Sequence, residues 1–165
     1  MDLTIKTRPL TAQGFARFGQ VLAAEGHPDK IINAGLCGRW HDVASLDFGA
    51  DTHGRCGISV FLAEPRDLPY DCALLERHPE GSQAFIPMHA NPFLVIVAPD
   101  EHGIPGVPQA FLTNGAQGVN LARGIWHGVL TPLAAPGLFA VIDRIGPTPN
   151  LQEYALPRPF RVVAG

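Results

Sequence analysis

Charge is scarce in this chain. Of its 165 residues only 16% are Asp, Glu, Lys or Arg, and the formal net charge is −3. No basic stripe occurs, which argues against nucleic acid as a partner. Long hydrophobic runs are missing as well. No stretch nears the roughly 18 apolar residues that a membrane-crossing helix needs. The first residues, Met1-Asp2-Leu3-Thr4-Ile5-Lys6, lack the basic stretch and apolar run of a secretory signal. Cysteine is sparse and odd in number, with Cys37, Cys56 and Cys72 at no close spacing. That speaks against a disulfide framework and for a reducing compartment. Together these absences predict a cytoplasmic protein that works away from membranes.

What the chain does have is apolar bulk and turn residues. Hydrophobic residues make up 46%, enough for one well-buried core in a single domain over residues 1–165. The 18 glycines and 16 prolines are spread along the chain, so they mark turns and not a linker. Many turns at short spacing predict short strands, hence a sandwich or barrel. Strands are expected over 55–62, 72–78, 83–87, 93–98, 110–113, 118–121, 125–130 and 138–143, with a turn at 99–103. One helix over 10–19, capped by Thr11 and ended by Gly19, should pack Phe15 and Phe18 on a sheet. Phe93–Ala98 is continuous and apolar, and is expected as an edge strand able to pair across a dimer interface. The proline-rich tail from Pro147 to Gly165 is expected to hold one last short element near Asn150–Tyr154. The chain reads as all-β with one or two short helices.

Two segments carry residues suited to chemistry. In the first, Glu76 and His78 are two apart, which puts both on one face of a strand. After a Pro79-Glu80-Gly81 turn, Gln83 opens the next strand and can face the same cavity. A carboxylate, an imidazole and an amide oxygen can hold a divalent metal, or act as base, acid and substrate anchor. Glu-x-His alone also reads as an edge ion pair. In the second segment, Gly124 permits a tight turn and His127 opens a strand behind Trp126. A single His there also reads as a hydrogen-bonded core residue. Arg39-Trp40-His41-Asp42, if extended, puts Arg39 and His41 on one face as a lid or pocket wall, or else pairs Arg39 with Asp42 on the surface. Asp143-Arg144 reads as a structural pair, and His27, His53 and His102 as solvated loop residues.

Taken together, the two segments resemble the paired motifs of cupins, in which side chains from two motifs converge inside a small barrel. There are two departures: Glu76 stands where the first motif has its first His, and Gln83 where it has its Glu. A closer resemblance is to the ureidoglycolate lyase family. It rests on Gly35-Leu36 with Arg39-Trp40-His41-Asp42, Leu75-Glu76-Arg77-His78-Pro79 and Gln83-Ala84-Phe85-Ile86-Pro87-Met88. It also rests on Thr113-Asn114-Gly115 with Gln117-Gly118-Val119-Asn120, Trp126-His127 and Ile142-Asp143-Arg144. It spans nearly the whole chain, with His89 standing where some members carry Lys.

The resemblance implies a cupin-type double-stranded β-barrel (jelly roll) and a homodimer. It implies a carbon–nitrogen lyase of the amidine-lyase type, cleaving (S)-ureidoglycolate to glyoxylate and urea in allantoin and purine-nitrogen breakdown. A divalent metal is implied, with nickel usual, and no organic cofactor. By the resemblance Glu76, His78, Gln83 and His127 would meet around one pocket as metal ligands, with His78, His127 and Glu76 catalytic. Arg39, His41, Gln83, Arg77 and Trp126 are the expected substrate contacts, with Arg123 a further candidate for the carboxylate clamp. Arg77 alternates with Glu76 and His78, so in a regular strand it faces away from their cavity. Three rivals stay open: a ureidoglycolate amidohydrolase releasing ammonia, a metal-dependent isomerase or dioxygenase on the same fold, and a non-catalytic cupin that binds a small acid.

Overall fold

The computed structural model describes residues 3–49 and 53–165; Met1 and Asp2, on which part of the leader reading rests, lie outside them. The chain runs β1 (Thr4–Pro9), α1 (Ala12–Phe15), β2 (Gly19–Leu22), β3 (Lys30–Ile32), a 3-10 turn at Asn33–Gly35, β4 (Cys37–Arg39), β5 (Arg55–Leu62) and β6 (Tyr70–Arg77). It continues with β7 (Gln83–Pro87), β8 (Phe93–Ala98), β9 (Asp100–Glu101), β10 (Ile104–Pro105), β11 (Gln109–Leu112) and β12 (Gly118–Leu121). The last elements are β13 (Trp126–His127), β14 (Thr131–Pro132), β15 (Leu138–Ile145) and β16 (Gln152–Val163). Among the described residues no helix is long and apolar enough to cross a membrane.

Two sheets make the fold. In the larger, the order β11-β1-β16-β6-β13-β8 closes on itself because β8 also pairs with β11, and β14 is appended to β8. The smaller is an open sheet of order β2-β12-β7-β15-β5. The architecture is all-β with a closed six-strand barrel, consistent with the expected cupin-type barrel.

Alternation along β8 serves both cores. Leu94, Ile96 and Ala98 join Cys72, Leu75, Ala110, Trp126 and Val162 in a cluster built from strands of the closed ring. Phe93, Val95 and Val97 point the other way and meet Phe85, Val119, Phe139 and Val141 of the open sheet, so a second core lies between the sheets. Every residue of β8 is therefore buried. The strand is central, flanked by β11, β13 and β14, and is not the edge strand that its sequence suggested.

Two further expectations change. The helix is only Ala12–Phe15, with the Thr11 side chain accepting from the Gly14 amide as a cap and Phe15 and Phe18 fully buried. Gly19 opens a strand instead of ending a helix. Its φ is +152°, and an added Cβ would sit 1.9 Å from the Asn120 carbonyl oxygen. The proline-rich tail is the longest strand, β16, paired with both β1 and β6. Its ladder to β6 shifts register between Ala155 and Phe160, and Pro157 and Pro159 fall in that bulge, where no amide donor is needed.

Candidate active site

Glu76 and His127 are directly opposed across the antiparallel β6–β13 pair, and opposed residues project from the same face of a sheet. Their closest approach, His127 Nδ1 to Glu76 Oε1, is 3.8 Å. His78 follows β6 immediately. It is held against the second segment because the Gly124 amide donates to the His78 carbonyl at 2.9 Å. Gly124 itself has φ +77°, the conformation that glycine supplies at this turn. The two imidazole rings lie 5.4 Å apart, centre to centre. One donor atom each from Glu76, His78 and His127 can be chosen so that all lie within 4.8 Å of one another.

Backbone carbonyls fix how both rings present themselves. His78 Nδ1 lies 2.6 Å from the Asn150 carbonyl oxygen, and His127 Nδ1 lies 3.0 Å from that of Gly128. A carbonyl only accepts, so Nδ1 carries the proton in each ring and Nε2 keeps its lone pair. Both Nε2 atoms are buried without a hydrogen-bond partner. This arrangement, a ring whose tautomer is pinned by a carbonyl while the other nitrogen stays free, is how proteins orient histidine as a metal ligand.

The electrostatics agree. Burial pushes His127 down to about 4, helped by the nearby His78 and opposed by the Gly128 carbonyl. The ring is therefore neutral at working pH, as a ligand must be. Burial raises Glu76, with His78 pulling the other way and Glu153 adding to the rise. Two imidazoles and one carboxylate suit a borderline divalent ion such as nickel, zinc or iron.

Gln83 and Asp143 share the space between the sheets. Asp143 stands two residues beyond the fully buried Val141 on β15, and Gln83 two before Phe85 on β7. The alternation of a strand turns them to the same interior. Phe85 packs edge-on to His127 at 6.4 Å. Gln83 Nε2 donates to Asp143 Oδ2 at 3.3 Å, while Gln83 Oε1 and Asp143 Oδ1 are buried and unpartnered. Asp143 is thus not the partner of Arg144, as its sequence suggested. Arg144 pairs with Glu80 at 3.0 Å instead, because neighbours in a strand face opposite ways. Asp143 and the carbonyls of Asn150 and Gly128 are the contributors that sequence reasoning missed. The Ile142-Asp143-Arg144 run was the only signal for the first, and backbone acceptors leave no sequence signal.

The remaining expected contacts lie elsewhere. Arg77 points to the other face of β6, ion-paired with Asp100 at 2.6 Å and stacked over Trp126 at 4.5 Å. Trp126 is buried in the ring's core and donates its indole N–H to Asp100 at 2.9 Å. Adjacency to His127 forces it to that opposite face. Arg39 and His41 hydrogen-bond each other at 2.8 Å beside an open groove that is also lined by Ile32, Trp40 and Val43. They belong to the β3–β4 hairpin and its exit. The structure does not bring these four residues to the cluster. Arg123, next to Gly124 in the chain, is ion-paired with Asp47 at 3.4 Å. Asp47 is tied in turn to Ser82, whose hydroxyl accepts the Asp47 amide at 2.8 Å. His89 lies away from the cluster, edge-on to Phe139 at 4.8 Å.

Comparison with known proteins gives one family. The family described as ureidoglycolate lyase matches residues 2–163. A ureidoglycolate lyase of Rhodobacter capsulatus is 58% identical over 154 residues, covering 93% of this chain and 94% of that protein. One from Chelativorans sp. is 47% identical over 158 residues, covering 96% and 95%. A protein named ureidoglycolate lyase 2 of Rhizobium meliloti is 46% identical over 160 residues, covering 97% and 98%.

Proposed function

The chain belongs to the ureidoglycolate lyase family, and from that premise we propose that the pocket of Glu76, His78 and His127 splits (S)-ureidoglycolate into glyoxylate and urea. The observation that carries this reading is the meeting of donor atoms from Glu76, His78 and His127 within 4.8 Å of one another, with both histidine Nε2 atoms buried and unpartnered. Glu76, His78 and His127 would hold a divalent cation, nickel being the first to test. When bound it supplies Lewis-acid polarisation of the substrate oxygens.

The reaction moves one proton. It leaves the hydroxyl oxygen as the carbonyl of glyoxylate forms. The carbon–nitrogen electron pair departs with the ureido nitrogen, which takes a proton to become urea. Glu76 is the group suited to carry it. Burial raises its carboxyl above the ordinary carboxylate value, which favours holding a proton as well as giving one up. A carboxylate has two oxygens, so one can serve the donor cluster while the other handles the proton. His127, held well below its ordinary value, is a poor base and a good ligand. Arg123 would clamp the substrate carboxylate, exchanging its Asp47 partner for it, a task its planar fork suits.

The three unpaired thiols fit a reducing compartment and support a cytoplasmic location. A homodimer is part of the same reading. The test is product identity. Purified protein is incubated with racemic ureidoglycolate, with and without a chelator, and glyoxylate, urea and ammonia are quantified. Equimolar glyoxylate and urea from one enantiomer, lost with chelator and restored by a divalent ion, is the expected result. Ammonia in place of urea would mean an amidohydrolase, and no turnover by metal-replete protein would leave only a binding pocket.

A further inference from the structure

Two hydrogen-bond acceptors stand side by side in the interior with nothing to accept. Gln83 is 5% exposed. Its amide N–H is turned toward Asp143 Oδ2 at 3.3 Å, which leaves Gln83 Oε1 and Asp143 Oδ1 buried and unpartnered. A buried acceptor left unsatisfied destabilises the fold, so a persistent pair of them calls for a donor-rich ligand. The flanking chain is fixed from both sides. The turn that separates His78 from Gln83 is anchored at Glu80, whose amide donates to the Asn150 side chain at 2.7 Å, and at Ser82, whose amide donates to the Asp47 carbonyl at 2.6 Å. Gln83 is paired with Leu121, three residues before the Gly124 that bonds His78, so it sits at the same end of the inter-sheet space as the histidine cluster.

We propose that Gln83 and Asp143 form the subsite for the ureido head of the substrate. This rests on the lyase reading above and names what that reading leaves open. A ureido group presents two N–H donors on one edge, the terminal amide and the substituted nitrogen, and a carboxylate accepts such a pair as a fork. The free Gln83 Oε1 takes the remaining amide hydrogen. The substrate's other end, carboxylate and hydroxyl, then points to Arg123 and to Glu76, His78 and His127. Asp143 acts as a specificity-determining residue, since a site built to receive N–H donors rejects analogues that lack them. The subsite also sets the order of release, because urea stays hydrogen-bonded to Asp143 after glyoxylate has formed.

The test uses charge. Carbamoylglycine and guanidinoacetate have the same shape, but the second carries a guanidinium in place of the ureido group. A carboxylate at the subsite makes guanidinoacetate the tighter inhibitor of the metal-replete wild-type enzyme, by about tenfold, the worth of one charge-assisted bond. In Asp143→Asn, a near-isosteric change, the preference should vanish or reverse and kcat/KM for ureidoglycolate should fall about a hundredfold, with metal content unchanged. Gln83→Met, which keeps volume and removes both polar atoms, should weaken both analogues without altering their ratio. Wild type that cleaves ureidoglycolate while Asp143→Asn keeps the wild-type analogue ratio overturns the subsite and leaves the lyase reading standing. Wild type that neither cleaves ureidoglycolate nor binds either analogue overturns both.

Discussion

His127 is 3% exposed, and that burial holds its pKa at about 4, against about 6.5 for a free histidine. The linkage has a definite sign. Above pH 6.5 the ring is neutral whether the chain is folded or not, and stability is indifferent to it. As pH falls from 6.5 to 4 the unfolded chain takes the proton first, so the folded state loses stability, and below 4 the loss levels off. In metal-stripped protein the loss should reach about 3 kcal/mol. It should be missing from His127→Gln, as denaturant titrations at pH 7 and pH 4.5 would reveal; equal pH slopes in the two proteins would count against a neutral buried ring. The same variant should lose two or more orders of magnitude in kcat. Arg123→Gln should instead raise KM about tenfold and leave kcat within a few-fold, because it contacts the carboxylate alike in ground and transition states; a kcat collapse would mean a different role. Among the thiols, Cys56 is exposed, Cys37 half-buried and Cys72 buried, and burial lifts Cys72 to about 11. Iodoacetamide at pH 8 should mark Cys56 first and leave Cys72 untouched until the protein is unfolded, as read by peptide mass.

At the scale of elements, the turn between β6 and β7, which carries His78 to Gln83, is clamped from the far end of the chain. Asn150 holds this turn twice: its carbonyl accepts from His78 Nδ1 at 2.6 Å, and its side chain accepts the Glu80 amide at 2.7 Å. Asn150→Ala removes the second bond at a cost of about 1 kcal/mol and frees the first to drift. Metal affinity should fall by roughly ten- to a hundredfold. Activity should recover in excess metal, which a purely structural defect would not allow; chelator titration against activity decides it. The strands that line the site were legible because 83–87, 93–98 and 118–121 are apolar runs between turn residues. Glu76 and His78 stood out through their period of two. The register that sets His127 opposite Glu76 was not legible, since it depends on a pairing 51 residues distant in sequence. Nor was β16, because Pro157 and Pro159 read as breakers until a bulge is known to receive them. Arg77 and Trp126 were expected as substrate contacts from the resemblance, but each neighbours a site residue in its strand and so takes the opposite face, as the alternation of Arg77 with Glu76 and His78 had indicated. Arg39 and His41 were grouped by a motif that the fold spends on a separate hairpin.

At the scale of the whole molecule, the open sheet turns an apolar face outward. Ile58, Val60 and Leu62 on β5 are 74%, 66% and 72% exposed. Their rows continue across the sheet by register: Val60 lies opposite Ala140, which lies opposite Ile86, and Ile58 lies opposite Ile142. Met88 extends the face beyond β7 at 54% exposure. β5 is also the sheet's last strand, so one side of its backbone ladder is free. A long apolar edge is a hazard that proteins cover or break, and this one carries no charge between Cys56 and Ala63. A two-fold axis through β5 satisfies both needs at once. It sets an antiparallel strand against its own copy and apolar rows against identical rows, the self-complementary contact of a cyclic dimer. β8, the most apolar strand of the barrel, offers no free edge, being enclosed on both sides. The proposed homodimer would use the sheet remote from Arg77 and Trp126, with the histidine cluster on the sheet's inner side. Sedimentation of wild type should give twice the 17.7 kDa chain mass. Val60→Asp places a carboxylate on the axis face and should give monomer at micromolar concentration. Because Val60 points away from the interior that holds Glu76, His78 and His127, that monomer should still bind a divalent ion with wild-type stoichiometry. A wild type that sediments as a monomer, or a Val60→Asp protein that remains a dimer, would move the interface off this face.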